Sequence, residues 1–496
     1  MGGSDDRDRH GARNRFRWAA GRRCSRVGGS PPVVVTVIDR PAAARSADGR
    51  LRPDPAFLSD TLCRLARKYR VPGAQLAVHH EGETTGIEVG ELEHRSGREV
   101  TRDAAFPIGS ISKSFTATLA MVLVADGDLE LDEPVAEHLP ELAGWGDELT
   151  LRRVLSHTTG LASGPDLEEV AGKSLRRYLR DHCGPRDLVL PPGADFSYSN
   201  LGYVIAGRLI EEITGMDWAE AVASILLQPL GVAPAFVDAT RSFSPSRPVA
   251  TGHSVNMAIG RIRSARQSLP PAEAPAGALA ASAMDLVALG RMHVGEGVPD
   301  VLPPSVAEQM RRPVPGAEPF GLADGWGLGL AVFRQGRTEW VGHDGNANGT
   351  SCYFRADPSG TWIIALTSNA NTGIGLWRDL LGELARTDIP IECPRESAAP
   401  GQPVAPWRSV VGSYLNGSVD YLVTRDDNGC LWLAINGDAV PLTCYDGLIF
   451  ASPDPITGRP VVGGRFITHS GTGRVDAIQV NGRVARRAGQ PARIVA

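Results

Sequence analysis

Lysine is almost absent from this sequence of 496 residues: it occurs only at positions 68, 113 and 173, and the other 48 basic residues are arginines. An arginine stays protonated in proteins, whereas a buried lysine can lose its proton and act as a base. A lysine within a chemically suggestive motif is therefore informative. Basic and acidic residues nearly balance, 51 against 56, which argues against a nucleic-acid-binding protein, because phosphate neutralisation needs a concentrated basic face.

Cysteine pairs and long apolar runs are also missing. The seven cysteines are widely spaced and include no Cys-x-x-Cys, so the sequence predicts neither a disulfide framework nor a zinc site. No apolar run approaches the roughly 20 residues of a membrane-spanning helix. Residues 1–50 are rich in arginine but lack the continuous apolar segment of an export signal, which favours a disordered basic extension over a twin-arginine signal. We expect a cytoplasmic protein without a membrane span.

Hydrophobic periodicity predicts an α+β fold in which a helical cluster packs on an antiparallel sheet. The pattern predicts helices at residues 55–69, 110–125, 201–214, 217–228 and 375–386. A hairpin is predicted at residues 75–89, and four consecutive antiparallel strands are predicted at 327–333, 339–343, 350–356 and 362–369. Strands thus lie at both sequence ends of a mainly helical middle.

Beyond this region the composition changes. Prolines at 400, 403 and 406 predict a stiff linker, and Asn-Gly or Asp-Gly pairs then recur about every ten residues, as in an up-and-down β-meander. A small β-barrel is predicted, either as a stabilising appendage or as a cover for the substrate cleft. The predicted domains are an extension at 1–50, a main domain at 51–396, a linker at 397–406 and the barrel at 407–496.

The first chemical motif is Ser110-Ile-Ser-Lys113 at the start of a predicted helix. Side chains three residues apart on a helix point the same way, so the lysine amine can lie beside the serine hydroxyl. The helix N-terminus favours negative charge at that oxygen. We predict Ser110 as a nucleophile and Lys113 as its base.

The second motif is Tyr198-Ser-Asn200, which follows a Pro-Pro-Gly turn and precedes a helix. In an extended segment this spacing places a phenol and an amide toward one cleft. Tyr198 could relay a proton and Asn200 could hold a substrate carbonyl. The alternative is an ordinary capped helix start with a core tyrosine.

The third motif, Gly342-His343-Asp344-Gly345-Asn346, ends a predicted strand. Its glycines would let a substrate backbone approach the strand closely. His343 would donate a hydrogen bond into the cleft, and the backbone amides of Asn346 and Ser110 would stabilise an oxyanion. The alternative is a β-turn with an incidental histidine.

Taken in order, Ser110-x-x-Lys113, Tyr198-x-Asn200 and His343-x-Gly345 resemble the three motifs of the penicillin-recognising serine enzymes, which include class C β-lactamases, DD-peptidases and related esterases. The resemblance covers residues 53–388. Class C β-lactamases usually have Lys-Thr-Gly as the third motif, so His-Asp-Gly argues against efficient β-lactam hydrolysis.

The added linker and barrel make the chain similar to penicillin-binding-protein-type thioesterases of nonribosomal peptide pathways, and imply that the barrel is lipocalin-like. This resemblance implies a peptidyl thioester delivered by a carrier protein, or a peptide ester, that is transferred to Ser110 and released as a head-to-tail ring. The alternatives are a serine esterase or D-amino-acid-specific peptidase, which transfers the acyl group to water, and a peptide-binding sensor without turnover. No cofactor or metal is expected.

Overall fold

The computed structural model describes residues 54–237, 246–335, 338–359, 362–392, 401–454, 458, 460–468 and 472–489. The predicted extension at 1–50 and residues 397–400 of the predicted linker lie outside this part of the chain. The α-helices of the described residues are α1 Pro55–Lys68, α2 Ser112–Asp126, α3 Leu151–Leu155, α4 Leu175–His182, α5 Asn200–Thr214, α6 Trp218–Ala221, α7 Ala274–Gly277, α8 Ala283–Val294, α9 Pro304–Arg311 and α10 Gly373–Leu384. None of these helices combines the length and the apolarity that crossing a membrane requires.

The strands fall into a main region and a C-terminal region. The main region contains β1 Gly73–His80, β2 Glu83–Gly90, β3 Phe106–Pro107, β4 Gly252–Asn256, β5 Arg261–Ala265, β6 Ala280–Ala281, β7 Gly325–Trp326, β8 Ala331–Gln335, β9 Thr338–Ala347, β10 Thr350–Ala356 and β11 Trp362–Ser368. The C-terminal region contains β12 Gly412–Asn416, β13 Val419–Arg425, β14 Leu431–Ile435, β15 Asp438–Tyr445, β16 Ile449–Pro453, β17 Pro460–Thr468, β18 Val475–Val480 and β19 Arg483–Arg487.

A seven-stranded antiparallel sheet, in the order β2-β1-β11-β10-β9-β8-β7, forms the centre of the main region. Every residue of β11 is buried, and its side chains alternate between two cores. Ile363 and Ala365 pack in the core that includes α8 and the helical middle. Ile364 and Leu366 pack with α1 and α10 on the other face. The predicted packing of a helical cluster on an antiparallel sheet is therefore confirmed.

Local sequence explains how the predicted helices begin and end. The Asp54 carboxylate accepts a hydrogen bond from the Phe57 amide at 2.7 Å, and Pro55 occupies the first turn of α1. In α2 every residue from Ser112 to Leu123 is buried, which is typical of a helix that lies inside a core. Gly127 ends this helix in the left-handed conformation.

The strand predicted at residues 327–333 begins later in the structure. The Gly327 amide donates to the Leu330 carbonyl at 2.8 Å, which makes a turn, and β8 begins only at Ala331. The amides of Leu328 and Gly329 bond to carbonyls of α9 and α3, not to a neighbouring strand. Tertiary hydrogen bonds therefore override the local β-pattern here. Conversely, β9 continues through the third motif to Ala347, so the β-turn alternative for that motif is wrong.

The C-terminal region is a closed barrel of eight antiparallel strands, as predicted. Asn436 and Asn481, each before a glycine, have positive φ values and sit in the turns that the Asn-Gly pairs predicted. Buried aromatic side chains fill the interior; they include Tyr414, Phe450 and Phe466. The barrel interior is thus a packed core.

One end of the barrel packs against the segment that carries the second motif. The Tyr198 amide donates to the Gly482 carbonyl at 2.9 Å, and the Val484 amide donates to the Ser197 hydroxyl at 3.2 Å. The Gln479 amide group donates to the Phe196 carbonyl at 3.2 Å. The turn between β18 and β19 is therefore part of the wall around Tyr198.

Candidate active site

Ser110 lies in a 3₁₀ turn, Gly109–Ile111, that leads directly into α2. The predicted α-helix thus begins at Ser112, two residues later than expected, but Ser110 remains one turn before Lys113. Gly109 has a φ of +51°, and a Cβ at this position would lie 2.2 Å from the Asn346 carbonyl oxygen. Only glycine combines this conformation with so close an approach of two backbones. Ser110 and β9 are consequently held side by side.

Lys113 is completely buried beside Ser110. Its Nζ donates to the Ala276 carbonyl at 2.7 Å and to the Ser110 hydroxyl at 3.2 Å. Burial lowers the pKa of Lys113 to about 7, the Glu273 carboxylate opposes this shift, and the positive charge of Arg483 adds to it. A large fraction of the amine is therefore unprotonated near neutral pH and can accept the serine proton.

The ring of Tyr198 also lies close to the Lys113 amine. The Lys113 Nζ lies 5.1 Å from the centre of the Tyr198 ring. Burial raises the pKa of Tyr198 to about 12, although the nearby Ser110 hydroxyl and Arg483 favour the phenolate. The Tyr198 hydroxyl faces Ser110 but makes no hydrogen bond of regular geometry with a group of the described chain. At neutral pH it is a phenol that can pass on a proton.

His157 packs against the segment that carries Tyr198. Its Nδ1 accepts a hydrogen bond from the Ser199 amide at 3.1 Å, and its ring centre lies 4.3 Å from that of Tyr198. Burial and the charge of Lys113 hold the pKa of His157 well below its usual range, so the ring is neutral. His157 thus anchors the loop that carries Tyr198. The Ser199 hydroxyl in turn caps α5, which begins at Asn200.

Asn346, Gly345 and His343 of the third motif lie in three different surroundings. Asn346 is exposed in the cleft. Gly345 packs against the turn before Ser110: a Cβ there would lie 1.9 Å from the Ile108 carbonyl oxygen. The space that we expected a substrate to use is thus filled by the protein's own backbone.

His343 is buried behind Tyr198, and its ring centre lies 5.3 Å from that of Trp326. Its Nδ1 donates to the Asp344 carbonyl at 2.6 Å. Burial, reinforced by the charge of Lys113, lowers the pKa of His343 to about 3, so the ring is neutral and Nε2 is an acceptor. The donor into the cleft that the sequence led us to expect is therefore not available at neutral pH.

Two charged residues that the sequence analysis missed border the predicted motifs. Glu273 is 2% exposed, and its carboxylate accepts a hydrogen bond from the Tyr178 hydroxyl at 2.7 Å. Arg483, in the barrel, places its guanidinium carbon 4.8 Å from the Tyr198 ring centre and donates to the Ser163 hydroxyl at 3.2 Å. Neither residue belongs to a recognisable sequence motif. Only the approach of distant segments brings them to Lys113.

These residues open onto one cleft of about 310 Å³. Of the predicted site residues, Ser110, Asn200 and Asn346 line this cleft together with Glu273, whereas Lys113, Tyr198 and His343 lie behind its surface. The described part of the chain holds no cluster of three or more His, Cys, Asp or Glu side chains suited to a metal ion. The arrangement is suited to nucleophilic attack by Ser110 on an acyl carbon, with proton transfer through buried groups.

Comparisons with known proteins agree with this geometry. The β-lactamase family pattern matches residues 58–386. Penicillin-binding protein 4 of Amycolatopsis lactamdurans is 33% identical over 357 residues, which are 68% of this chain and 92% of that protein. The crystal structure of SurE is 36% identical, has a TM-score of 0.77, and covers 87% of this chain and 98% of its own; SurE has also been solved with D-Leu.

A D-stereospecific amidohydrolase from a Streptomyces species is similar over a smaller part of the molecule. It is 28% identical with a TM-score of 0.52, and the match covers 64% of this chain and 95% of that chain. The match to SurE thus extends over a larger share of this chain than the match to the amidohydrolase does. The family match, the fold and the Ser110–Lys113 pair lead to one conclusion: the chain belongs to the β-lactamase family of serine hydrolases, which includes the penicillin-binding proteins.

Proposed function

We propose that this protein takes a peptidyl thioester onto Ser110 and releases the peptide by head-to-tail cyclisation in nonribosomal peptide biosynthesis. The observation that carries the proposal is the position of the barrel at the active site. The turn between β18 and β19 bonds to the Tyr198 segment, and Arg483 stacks on the Tyr198 ring. The barrel thereby packs against the Tyr198 segment behind the cleft, and we infer that it limits the access of water to the acyl-enzyme, as a reaction that must avoid water requires.

In the first half-reaction, the unprotonated Lys113 amine takes the proton of Ser110, and the serine oxygen attacks the thioester carbon. The resulting oxyanion lies toward the backbone amides of Ser110 and Asn346. The carbon–sulfur bond then breaks, and the thiolate leaves with a proton supplied through Lys113 or Tyr198. The products are an acyl-Ser110 ester and a free thiol.

In the second half-reaction, the amino terminus of the same peptide attacks the ester carbon. The amine gives up a proton, an amide bond forms, and Ser110 leaves with a proton returned through Tyr198 and Lys113. Water competes at tens of molar, but a well-positioned intramolecular nucleophile can reach effective molarities of about 10⁵ M or more. Asn200, which lines the cleft, is suited to hold the acyl chain during this step.

The second part of the proposal concerns the C-terminal residue of the peptide, whose carbonyl group is transferred to Ser110. We propose that this residue has the D-configuration. It is supported by the SurE structure with D-Leu and by the similarity to a D-stereospecific amidohydrolase. The same similarity favours one alternative, hydrolysis of D-amino-acid amides or esters, in which water takes the place of the peptide amine. The delivery of the thioester by a carrier protein is part of the proposal as well.

The experiment is to supply linear peptidyl thioesters of several lengths that end in D- or L-residues and to determine the product mass. A ring and a linear acid differ by one water. We expect mainly the ring from peptides ending in a D-residue, and no product from Ser110→Ala. Mainly linear acid from every peptide would favour the hydrolase, and an acyl-enzyme that never turns over would favour a sensor.

A further inference from the structure

The hairpin formed by β4 and β5 carries an unusual concentration of positive charge. Arg261, Arg263 and Arg266 are all exposed, and residues 252–267 contain no acidic side chain. None of the three arginines forms an ion pair with any residue that the structure describes. The whole chain has a net charge of −5, so this stretch departs clearly from the average surface.

The tip of the same hairpin is apolar. Met257 is 40% exposed and Ile259 is 70% exposed, the highest value among the large hydrophobic side chains of the described residues. The tip has a defined shape, because the Ile259 amide donates to the Asn256 side chain at 3.2 Å and Arg70 donates to the Gly260 carbonyl at 3.3 Å. Two large apolar side chains are therefore held in solvent on a hairpin that also carries exposed arginines.

The base of the hairpin reaches the mouth of the active-site cleft. The His253 amide donates to the Gly349 carbonyl at 2.8 Å, and the Asn348 amide group donates to the Arg266 carbonyl at 3.1 Å. Gln267 and Asn348 line the cleft together with Ser110. At about 3.3 Å per residue, Arg261 lies up to about 17 Å from Arg266, so positive charge extends outward from the cleft mouth.

Glu93, in a neighbouring loop, contacts the hairpin but neutralises little of its positive charge. Glu93 accepts a hydrogen bond from the Ser264 hydroxyl at 3.3 Å, but its carboxylate is paired with Arg98 at 3.3 Å. A guanidinium group without an internal carboxylate partner is suited to bind a carboxylate or a phosphate of another molecule.

We propose that the β4–β5 hairpin is the docking surface for an acidic carrier protein domain whose pantetheine arm delivers the thioester to Ser110. This inference rests on the proposed function. Arg261, Arg263 and Arg266 would contact acidic side chains of the carrier and the phosphate of its arm. Met257 and Ile259 would pack against an apolar patch of the carrier, and the arm would enter the cleft past Gln267 and Asn348.

The test compares one peptide on two leaving groups: a peptidyl carrier domain that bears it on its pantetheine arm, and a small pantetheine-like thiol. Reversing the charges with Arg261→Glu, Arg263→Glu and Arg266→Glu together should lower kcat/KM for the carrier-borne peptide about tenfold or more, since such charges steer association. Turnover of the small thioester should change less than about twofold. Met257→Ser with Ile259→Ser should give the same selective loss.

A matched control reverses three exposed arginines elsewhere, Arg67, Arg408 and Arg474, and should leave both substrates unaffected. Carrier-borne turnover of the native protein should also fall as salt concentration rises, and carrier domain without its arm should inhibit it. Equal losses for both substrates in the hairpin variant, or no preference of the native protein for the carrier-borne peptide, would overturn the docking surface.

Other results separate this inference from the proposed function. If the small thioester yields only linear acid, the cyclase proposal fails whatever the hairpin does. If the hairpin variants lose binding to vesicles of phosphatidylcholine and phosphatidylserine but process the carrier-borne peptide normally, the hairpin is a membrane-binding surface and the carrier inference is wrong.

Discussion

At the scale of single residues, two opposite charges act on the Lys113 amine within one buried space. Burial alone makes the protonated amine costly. Glu273 stabilises that protonated form, whereas Arg483 destabilises it, and together they leave the pKa of Lys113 at about 7. Both protonation states of Lys113 are thus accessible near neutral pH, as the proposed role in general acid–base catalysis requires.

Replacement of Lys113 by arginine tests whether the unprotonated amine is needed. Arginine keeps the positive charge but cannot lose its proton, so we expect acylation of Ser110 to slow by roughly 10²-fold or more. Intact-mass measurement of the acyl-enzyme over time gives this rate, and circular dichroism checks the fold. Near-normal acylation by Lys113→Arg would show that the lysine acts only through its charge.

Replacement of Glu273 by glutamine tests the first of the two charges. The variant keeps an oxygen that can accept the Tyr178 hydrogen bond but removes the anion that raises the pKa of Lys113. Since kcat/KM rises with pH as Lys113 loses its proton, the acidic limb of the profile should move to lower pH in Glu273→Gln. The exposed control Glu168→Gln should leave the limb in place. A shift to higher pH would contradict the assigned interaction.

At the scale of elements, the contact between β9 and the turn that carries Ser110 holds the proposed nucleophile in place. The two backbones touch at Gly109 and again at Gly345, where no Cβ fits. The glycines of this region therefore serve close packing within the protein. The turn that carries Ser110, the proposed nucleophile, is thus held by a strand that lies more than 200 residues later in the sequence.

Gly345→Ala tests this contact. The added methyl group would clash with the Ile108 carbonyl and displace the turn, so we expect a loss of about 1–3 kcal/mol in the free energy of unfolding together with slower acylation. Gly184→Ala is a suitable control, because its φ is −155° and the nearest atom to a Cβ lies 3.8 Å away. Denaturant unfolding and acyl-enzyme formation measure the two effects. Unchanged acylation would mean that β9 does not position Ser110.

At the scale of the whole molecule, the barrel contributes a charge to the electrostatics of the candidate active site. Arg483 lies over Tyr198, and its charge lowers the pKa values of both Lys113 and Tyr198. We therefore propose that the barrel is more than a stabilising appendage. It supplies the positive charge of Arg483 beside Tyr198.

Arg483→Met removes this charge but keeps an apolar stem over the Tyr198 ring. Loss of the neighbouring cation should raise the pKa of Lys113, so the acidic limb of kcat/KM should move to higher pH, opposite in sign to the shift in Glu273→Gln. The pH profile of a small thioester measures it. An unchanged limb would exclude an electrostatic contribution of the barrel to catalysis.

The sequence by itself determined the elements whose signals are local. The spacing of Ser110 and Lys113 depends on one helical turn, the Asn-Gly pairs predict the turns of the barrel, and short β-rich runs bounded by Gly, Asp and Asn predict β10 and β11 closely. The prediction from the sequence was less accurate at residues 327–333, where hydrogen bonds to α3 and α9 replace the expected strand. Tertiary contacts of that kind leave no trace in the local pattern.

Only the tertiary structure decided the chemical state of the site. Burial by distant segments lowers the pKa values of Lys113 and His343, and folding brings Glu273 and Arg483 to the same amine. The pKa of a side chain depends on the dielectric and the charges around it in space, which sequence neighbours do not set. The sequence therefore indicated which residues are available for catalysis, whereas the three-dimensional packing determined which of them we propose as a base, which is a neutral ring and which supplies a charge.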